Sequence, residues 1–231
     1  MTAVLRADDL TKQYGPDVSS RALNGVKLSV QEGSVVAVIG PSGSGKSTLL
    51  NLLGGLDTPS DGRVLYRSRD IAGFSAKERS RFQLNETGFV FQFFNLIPNL
   101  TAFDNAILPA ILARGRADKR AVVRGLFEEA GLADKMNLLP GQLSGGEQQR
   151  VAIIRAMVND PAVIFADEPT GNLDSKTGDQ IFGLLAFHAR TKGRTLVYVT
   201  HEQRYANLAD RVLRILDGEI VDDKPNLPKL P

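Results

Sequence analysis

The stretch that decides the fold reads VVAVIGPSGSGKS at residues 35–47. Its opening residues are apolar and mostly β-branched, which is typical of a strand buried on both faces of a parallel sheet. The remainder matches the pattern G-x-x-x-x-G-K-S, and a leucine-rich, helix-like segment follows. Glycines in such a loop let backbone N–H groups wrap around phosphates, and the N-terminus of the following helix adds positive potential. We therefore predict a nucleotide-binding loop, with Lys46 bridging the terminal phosphates and the Ser47 hydroxyl holding Mg²⁺.

Three further apolar runs have the same character and lie at residues 88–91, 162–166 and 196–199. They alternate with helical patterns, which indicates an α/β fold with a parallel sheet. Gln92 follows the first run, Asp167 follows the second, and His201 comes just after the third. Because open parallel sheets bind ligands at the carboxyl edge of their strands, we expect these side chains to lie beside the phosphate loop.

Two adjacent carboxylates, Asp167 and Glu168, end the run at residues 162–166. Neighbouring residues at a strand end point in different directions, so their tasks can differ. Asp167 is placed to reach the Mg²⁺ shell, and Glu168 is placed to orient or deprotonate an attacking water. A solvated acidic turn ahead of Pro169 is the alternative interpretation, which the nearby phosphate loop disfavours.

The segment LSGGEQQR at residues 143–150 contains a second glycine-rich helix start. Ser144 and Glu147 fit an S-x-x-E capping box. A capping box needs no glycine, so we expect Gly145 and Gly146 to let an anion approach the helix N-terminus, with the Ser144 hydroxyl as a further donor. The segment therefore predicts a second phosphate cradle that faces the same nucleotide from the opposite side.

Helical patterns replace the β-branched runs over residues 93–156, which predicts an inserted helical subdomain. Residues 118–130 favour a helix that Gly131 caps, with apolar positions at Ala121, Val122, Leu126 and Phe127.

Residues 26–30 alternate between apolar and polar, which is typical of a half-exposed antiparallel strand. Residues 1–92 and 157–223 then form the nucleotide-binding core of a single domain. The tail at residues 224–231 contains three prolines and is predicted to be extended and loose.

Composition limits the class of protein further. The chain has 231 residues, no cysteine and a net charge of +2. That length suits one domain with a smaller inserted subdomain, and the lack of cysteine excludes disulfides and thiolate metal sites. Basic and acidic residues are interspersed, so no nucleic-acid partner is predicted. No apolar run approaches the roughly 20 residues of a membrane span, so any membrane role is expected to come through a partner.

Together these motifs resemble those of the nucleotide-binding subunits of ABC transporters, over nearly the whole chain. Tyr14 matches the aromatic residue that stacks on adenine, residues 40–47 match the Walker A loop, and Gln92 matches the Q-loop glutamine. Residues 143–150 match the signature, and Asp167 and Glu168 match the two Walker B carboxylates. Asp174 matches the D-loop aspartate, and His201 matches the switch histidine. Packing beside a Gly-Pro turn is the alternative for Tyr14, and a purely structural histidine is the alternative for His201.

The resemblance implies an α/β P-loop NTPase (RecA-like) core with an N-terminal antiparallel β subdomain and an inserted α-helical subdomain. It implies ATP and Mg²⁺ as ligands, and it assigns nucleotide binding to Tyr14, Gly40, Ser42, Gly43, Ser44, Gly45, Lys46, Ser47, Thr48 and Asp167. A second copy, in a head-to-tail homodimer closed by ATP, would contribute Ser144, Gly145, Gly146, Glu147 and Asp174. Catalytic roles fall to Glu168, His201 and Gln92, and metal contacts to Ser47, Gln92 and Asp167.

A finer resemblance, at residues 54–57, 88–98 and 169–174, is to the branch that contains LolD and MacB. It implies an integral membrane permease as partner, a peripheral location at the cytoplasmic face of the inner membrane, and export or lipoprotein release. A regulator like the FtsE relatives, which transmits force to a periplasmic enzyme, is one alternative. A soluble ABC ATPase acting on nucleic acid or ribosomes is another, and it is disfavoured by the single cassette and the absence of zinc-binding cysteines.

An apolar cluster around the Q-loop glutamine has two equal interpretations, namely a groove for a short helix of the permease or the core of the helical subdomain. Its members are Phe93, Phe94, Leu96, Ile97 and Phe103. No role is predicted for His188.

Overall fold

A computed structural model gives the structure of residues 3–15, 21–113 and 118–226. The strands in these ranges are β1 (Ala3–Gln13), β2 (Arg21–Gln31), β3 (Val35–Ile39), β4 (Asp61–Tyr66), β5 (Arg69–Asp70), β6 (Thr87–Phe91), β7 (Val163–Asp167), β8 (Thr195–Val199), β9 (Arg211–Leu216) and β10 (Glu219–Pro225). The α-helices are α1 (Lys46–Leu53), α2 (Ala76–Asn85), α3 (Ala102–Leu112), α4 (Arg120–Glu129), α5 (Gly145–Met157), α6 (Ser175–Thr191) and α7 (Gln203–Ala206).

The larger sheet has the strand order β10-β9-β3-β8-β7-β6. Its five strands from β9 to β6 are parallel, and β10 closes one edge as an antiparallel strand. Asp167 at the end of β7 lies opposite Phe91 on one neighbour and Val199 on the other. The carboxyl ends of these strands therefore share one edge of the sheet, as the sequence predicts.

Both faces of this sheet are buried, which explains the continuous apolar runs. Val36 and Val38 of β3 pack into one hydrophobic cluster, while Val35 and Ala37 pack into another on the opposite face. Strand β9 was not predicted, because arginines at its first and fourth positions interrupt the apolar run.

The smaller sheet is antiparallel and has the order β2-β1-β4-β5. Strand β2 buries Val26, Leu28 and Val30, whereas Lys27 is exposed and Ser29 is half-buried, so the predicted half-exposed strand is confirmed. Helix α1 lies between the two sheets, where its leucines join the cluster that both sheets share. Helix α1 and the phosphate loop before it are thus held on two sides.

A separate hydrophobic cluster is built from α3, α4, α5 and the loops between them. Helix α4 faces this cluster with Val123 and Phe127, whereas Ala121 is exposed and Val122 is 44% exposed. The predicted apolar face was therefore wrong by one position at its start, because the i to i+4 spacing that faces the cluster begins at Val123. Gly131 ends the helix as predicted, with a φ of 67°.

The predicted loose tail is corrected at its first residues. Lys224 and Pro225 complete β10 and pair with Val212 and Arg211. The Asn226 side chain donates to carbonyls just before β9, at a distance of 2.9 Å for the shortest bond. Proline is tolerated there because β10 is an edge strand, which has one side free of ladder hydrogen bonds. The rest of the tail lies outside the described residues.

Candidate nucleotide site

The phosphate loop connects β3 to α1 and depends on glycine at two crowded positions. Gly45 has a φ of 103°, and a Cβ there would collide with the carbonyl oxygen of Ala22. A Cβ at Gly40 would collide with the carbonyl oxygen of Ile215 on the adjacent strand β9. The loop backbone therefore packs closely against β2 of the smaller sheet and β9 of the larger one, and this packing holds its N–H groups in place.

Lys46, the first residue of α1, is only 7% exposed. Its Nζ donates a 2.7 Å hydrogen bond to the carbonyl oxygen of Pro41, which lies across the loop. The buried Ser44 hydroxyl has no hydrogen-bond partner. An ammonium and an unpaired hydroxyl are thus gathered in one small loop, and they suit an anion with several oxygen atoms.

Asp167 ends β7, which β8 separates from β3 in the sheet. Burial raises the pKa of Asp167, and the Glu168 charge raises it further, while a hydrogen bond from Ser47 and the charge of Lys46 act in the opposite direction. Its Oδ1 atom is buried without a hydrogen-bond partner. A carboxylate oxygen in that state fits a role as a cation ligand.

Glu168 adopts a φ of 45°, which is uncommon for a residue other than glycine. Its backbone N–H donates to the carbonyl of Val199, so the turn is tied to β8. The Glu168 Oε2 atom lies 3.5 Å from Nδ1 of His201, whose side chain is 60% exposed. The strained turn therefore brings the predicted base and the predicted switch histidine together.

Gln92 and Glu168 converge on Gly171. A Cβ built at Gly171 would lie 3.0 Å from Nε2 of Gln92 and 3.3 Å from Oε2 of Glu168. Asn172 donates from its side chain to the carbonyl of Gln92 at 3.1 Å and accepts from Nε2 of Gln92 at 3.4 Å. The segment after the carboxylate pair thus positions the Q-loop glutamine, a task for Asn172 that sequence reasoning missed.

Gln149 is a second residue that sequence reasoning missed. It is fully buried in α5, and its Nε2 donates to the carbonyls of Phe91 at 3.2 Å and Pro169 at 2.7 Å. The Phe91 carbonyl ends β6 and the Pro169 carbonyl follows Glu168, so helix α5 is hydrogen-bonded to the segments on either side of the site. A buried amide within a helix is the signal that could have identified this residue.

The signature segment forms a complete capping box at the start of α5. The Ser144 N–H donates to the Glu147 carboxylate at 2.8 Å, and the Glu147 N–H donates to the Ser144 hydroxyl at 3.4 Å. The hydrogen bond from the Ser144 backbone lowers the pKa of Glu147. Ser144 and Glu147 therefore form the helix-capping box that the sequence predicts.

The two signature glycines have different surroundings. A Cβ at Gly146 would collide with the methyl group of Thr177 on α6. Close packing of α5 on α6 therefore already requires glycine at Gly146, so anion approach is not its only explanation. A Cβ at Gly145 would make ordinary contacts, the nearest at 3.5 Å from Leu173.

Asp174 caps helix α6. Its side chain accepts from the N–H groups of Lys176 and Thr177 at 3.1 Å and from the Thr177 hydroxyl at 2.6 Å. Hydrogen bonds from Thr177 lower the pKa of Asp174. Within one chain, Asp174 thus performs the same kind of capping as Ser144.

Tyr14 follows β1 and is 50% exposed, so core packing does not account for it. Its hydroxyl donates to Oδ2 of Asp57 at 2.9 Å. The Asp57 N–H in turn donates to the carbonyl of Asn51 in α1 at 3.3 Å. The predicted adenine platform is therefore attached to the helix that carries the phosphate loop.

The apolar cluster around Gln92 divides between its two interpretations. Leu96 and Phe103 pack against the cluster of the helical subdomain, whereas Phe93 is 73% exposed and Ile97 is 42% exposed. A groove of about 470 Å³ lies nearby, lined by residues that include Gln83, Leu84, Phe89, Phe91, Leu112 and Arg155. Part of the cluster is therefore core, and part is exposed beside a groove.

The helices of the described ranges are all too short or too polar to cross a bilayer. Within the same ranges, no three His, Cys, Asp or Glu side chains gather in a group that could hold a metal ion by themselves.

The family model for ABC transporters matches residues 23–171, which include the phosphate loop, Gln92, the signature and both Walker B carboxylates. The chain belongs to the ABC transporter family. The resemblance inferred from the sequence motifs is thereby confirmed.

Two curated relatives have informative names. The lipoprotein-releasing system ATP-binding protein LolD of Geobacter metallireducens is 44% identical over 96% of this chain and 100% of its own length. The macrolide export ATP-binding/permease protein MacB of Hyphomonas neptunium is 43% identical over 96% of this chain, which spans only 35% of that longer protein. The predicted resemblance to the LolD and MacB branch is confirmed.

Among solved structures, the dimeric ATP-binding cassette MJ0796, in a post-hydrolysis state bound to ADP and Pi, is similar in fold. Its TM-score is 0.88 at 40% identity, over 96% of this chain and 98% of that one. The predicted P-loop NTPase fold and the ABC ATPase class are confirmed, with ATP as the nucleotide. The roles of individual site residues, the metal and the partners stay predictions.

Proposed function

We propose that this ABC ATPase, as an ATP-binding subunit of the LolD and MacB branch, hydrolyses ATP to drive a separate membrane permease. The convergence of the phosphate loop, the Asp167–Glu168 pair, Gln92 and His201 at one sheet edge carries this proposal. The ADP and Pi found in the similar MJ0796 cassette support hydrolysis as the reaction.

The phosphate loop would bind the β- and γ-phosphates of ATP. Lys46 would exchange the Pro41 carbonyl for phosphate oxygens, and the unpaired Ser44 hydroxyl would donate to the same group. The other residues predicted to bind the nucleotide lie in the loop and at the start of α1, where they would contact the phosphates. They are Gly40, Ser42, Gly43, Gly45 and Thr48.

The donors at this edge fit Mg²⁺, which is commonly bound by one or two carboxylates together with phosphate and water oxygens. Asp167 offers the unpartnered Oδ1 atom, Ser47 offers a hydroxyl beside it, and Gln92 is the third proposed contact. When bound, Mg²⁺ supplies compensation for the negative charge on the phosphate oxygens.

Glu168 would accept a proton from water as the water oxygen attacks the γ-phosphorus. The bond from that phosphorus to the ADP oxygen breaks, and the products are ADP and inorganic phosphate. His201 lies 3.5 Å from the Glu168 carboxylate, so it would orient that carboxylate, and it would also contact the γ-phosphate. Gln92, which shares the Gly171 contact with Glu168, would position the water and sense the loss of phosphate.

A second copy of the chain would complete each site in a head-to-tail homodimer. Ser144, Gly145, Gly146 and Glu147 would face the ATP held by the partner's phosphate loop, and Asp174 would lie at the same junction. A helix N-terminus with a serine hydroxyl suits the triphosphate. The dimeric form of the MJ0796 cassette supports this arrangement.

The groove beside α2 and α3 is the proposed docking site for a short helix of the permease. Exposed Phe93 and Ile97 lie in the segment beside it, and apolar residues such as Leu84 and Leu112 line it. Arg155 of α5 also lines it and donates to the carbonyl of Phe94 at 2.8 Å. Because α5 begins at the signature, the groove has a rigid connection to the nucleotide site. The protein would then sit peripherally at the cytoplasmic face of the inner membrane.

Mg²⁺-dependent phosphate release by the purified protein tests the reaction itself. We expect phosphate release with ATP, and we expect it to stop in EDTA and in a Lys46→Ala variant. Release that is the same in Lys46→Ala would rule out the phosphate loop as the hydrolytic site.

Co-purification with the membrane permease that the same genome encodes for this ATP-binding subunit tests the docking proposal. We expect Phe93→Ser to weaken co-purification while leaving hydrolysis by the isolated subunit unchanged. Phe187→Ser is the matched control. Phe187 on α6 is 61% exposed and lies far in sequence from every residue that lines the groove, whereas Phe93 lies between the lining residues Phe91 and Asn95. Equal losses in both variants would contradict docking at this groove.

A further inference from the structure

Asp57 links Tyr14, Lys12 and the end of helix α1. Its carboxylate accepts from the Tyr14 hydroxyl at 2.9 Å and from Nζ of Lys12 at 2.8 Å. The Asp57 N–H donates to the carbonyl of Asn51 in α1 at 3.3 Å. The residue that holds Tyr14 is therefore itself fixed to the helix of the phosphate loop.

Lys12 lies against the tyrosine ring. Its Nζ is 4.9 Å from the ring centroid of Tyr14, within the range of a cation–π contact. The same ammonium donates to the carbonyl of Thr58 at 2.8 Å, and its side chain is only 11% exposed. Lys12 thus covers one side of the ring, while half of Tyr14 stays accessible.

The protonation states in this cluster suit permanent hydrogen bonds. Burial raises the pKa of Asp57, but hydrogen bonds from Lys12, Thr58 and Tyr14 lower it to below its ordinary value overall. Burial raises the pKa of Tyr14, and the Asp57 charge adds to that effect. A charged acceptor therefore faces a neutral phenol donor near neutral pH, which is a strong form of hydrogen bond.

We propose that Asp57 and Lys12 are positioning residues that hold the Tyr14 ring as a fixed platform for the nucleobase, and so set how much the base contributes to binding. This rests on the proposed ATP site, in which Tyr14 stacks on adenine. A free tyrosine side chain would lose rotational entropy when the base binds, whereas a ring held on two sides has already lost it. Asp57 is the last residue of the segment GGLD at residues 54–57, to which the phosphate loop assigns no role.

Binding of two ligands separates this role from a general structural one. ATP carries the base, whereas inorganic tripolyphosphate offers only the phosphates. Stacking of a base on an aromatic side chain contributes roughly 1–3 kcal/mol, or about fivefold to 150-fold in affinity. We expect Asp57→Ala to weaken ATP binding about tenfold and to leave tripolyphosphate binding within about twofold of the unsubstituted protein.

The kinetics should split in the same way. Asp57→Ala is expected to raise the KM for ATP while kcat at saturating ATP stays nearly constant, because the reacting phosphates are untouched. Asp61→Ala is the matched control, since Asp61 is an exposed aspartate at the start of β4 outside the cluster. Thermal unfolding of each variant establishes that it is folded.

A double-mutant cycle with Tyr14→Ala gives the decisive result. If Asp57 acts through the ring, Asp57→Ala has no further effect on ATP binding once Tyr14 is alanine. Equal losses for ATP and tripolyphosphate, or an undiminished effect in the Tyr14→Ala background, would overturn the proposal. Failure of the ATPase proposal is recognised separately, because the protein with Tyr14 and Asp57 intact would then release no phosphate.

Discussion

His201 places its Nδ1 atom 3.5 Å from Oε2 of Glu168, across the ends of neighbouring strands β8 and β7. The two side chains are distant in sequence and meet because the strands are parallel and adjacent. Glu168 reaches this position through a backbone with a φ of 45°. An uncommon conformation at the proposed base links the fold directly to the reaction.

Replacing Glu168 with glutamine should separate binding from turnover. The variant keeps the shape of the side chain but cannot accept the proton from water, so we expect hydrolysis to fall by about 100-fold or more. ATP binding should persist, and an ATP-bound dimer should accumulate in size-exclusion chromatography with light scattering. Glu128→Gln changes an exposed glutamate on α4 and serves as the control. Phosphate release in Glu168→Gln at the rate of this control would remove Glu168 from the role of base.

Asp167→Asn should stabilise the nucleotide-free protein while abolishing Mg²⁺-dependent hydrolysis. Burial raises the pKa of Asp167, so folding disfavours its charged form near neutral pH. The asparagine variant avoids that cost, and its melting temperature should be higher.

The pH dependence of stability provides a second test of Asp167. Between the ordinary aspartate pKa and the raised one, the folded state binds more protons than the unfolded state, so this group adds stability as the pH falls. That contribution should be missing in Asp167→Asn when urea unfolding is followed across acidic pH. An unchanged pH profile together with an unchanged melting temperature would contradict the inferred burial of charge.

Ser144→Ala should impair hydrolysis by more than the loss of a helix cap explains. Ser75 provides a matched control, because it forms the same capping box with Glu78 at the start of α2. Each alanine should cost about 1 kcal/mol of folding stability. Only Ser144→Ala is expected to lower ATP hydrolysis at saturating ATP, and equal activity in the two variants would leave Ser144 with a capping role alone.

Gly146→Ala should destabilise the protein, whereas Gly183→Ala should not. The new methyl group at Gly146 would press on the methyl of Thr177, and overpacking of this kind costs about 1–3 kcal/mol. Gly183 has open space around the corresponding position, so alanine there should stabilise α6 by about 0.5–1 kcal/mol. Adding Thr177→Ser should restore the stability of Gly146→Ala in urea unfolding. Failure of this rescue would place the strain elsewhere.

The sequence predicts those parts of the site that depend on local pattern. The phosphate loop and the carboxylate pair were found because strand, turn and helix follow one another within a few residues. Gln149 was missed because its partners, the carbonyls of Phe91 and Pro169, are brought to it only by packing of α5 on β6.

Tertiary packing also decides residues whose chemistry alone is ambiguous. Thr177 across the helix interface gives Gly146 a packing role that the signature pattern does not reveal. His188, for which no role was predicted, is buried with its Nε2 atom 3.3 Å from the Glu129 carboxylate, and so connects α6 to α4. Such pairs join distant segments, and a single sequence carries no signal for them.

If two copies of this chain share each ATP, a mixture of two inactive variants should regain hydrolysis. Lys46→Ala lacks a working phosphate loop, and Ser144→Ala lacks a working signature, so each alone should hydrolyse ATP poorly. In a mixed dimer, the phosphate loop of one variant meets the signature of the other, and one intact site forms. We expect an equimolar mixture to release phosphate faster than the mean of the two separate variants, and we expect the double variant to restore nothing. Activity equal to that mean at every mixing ratio would contradict nucleotide sharing between copies.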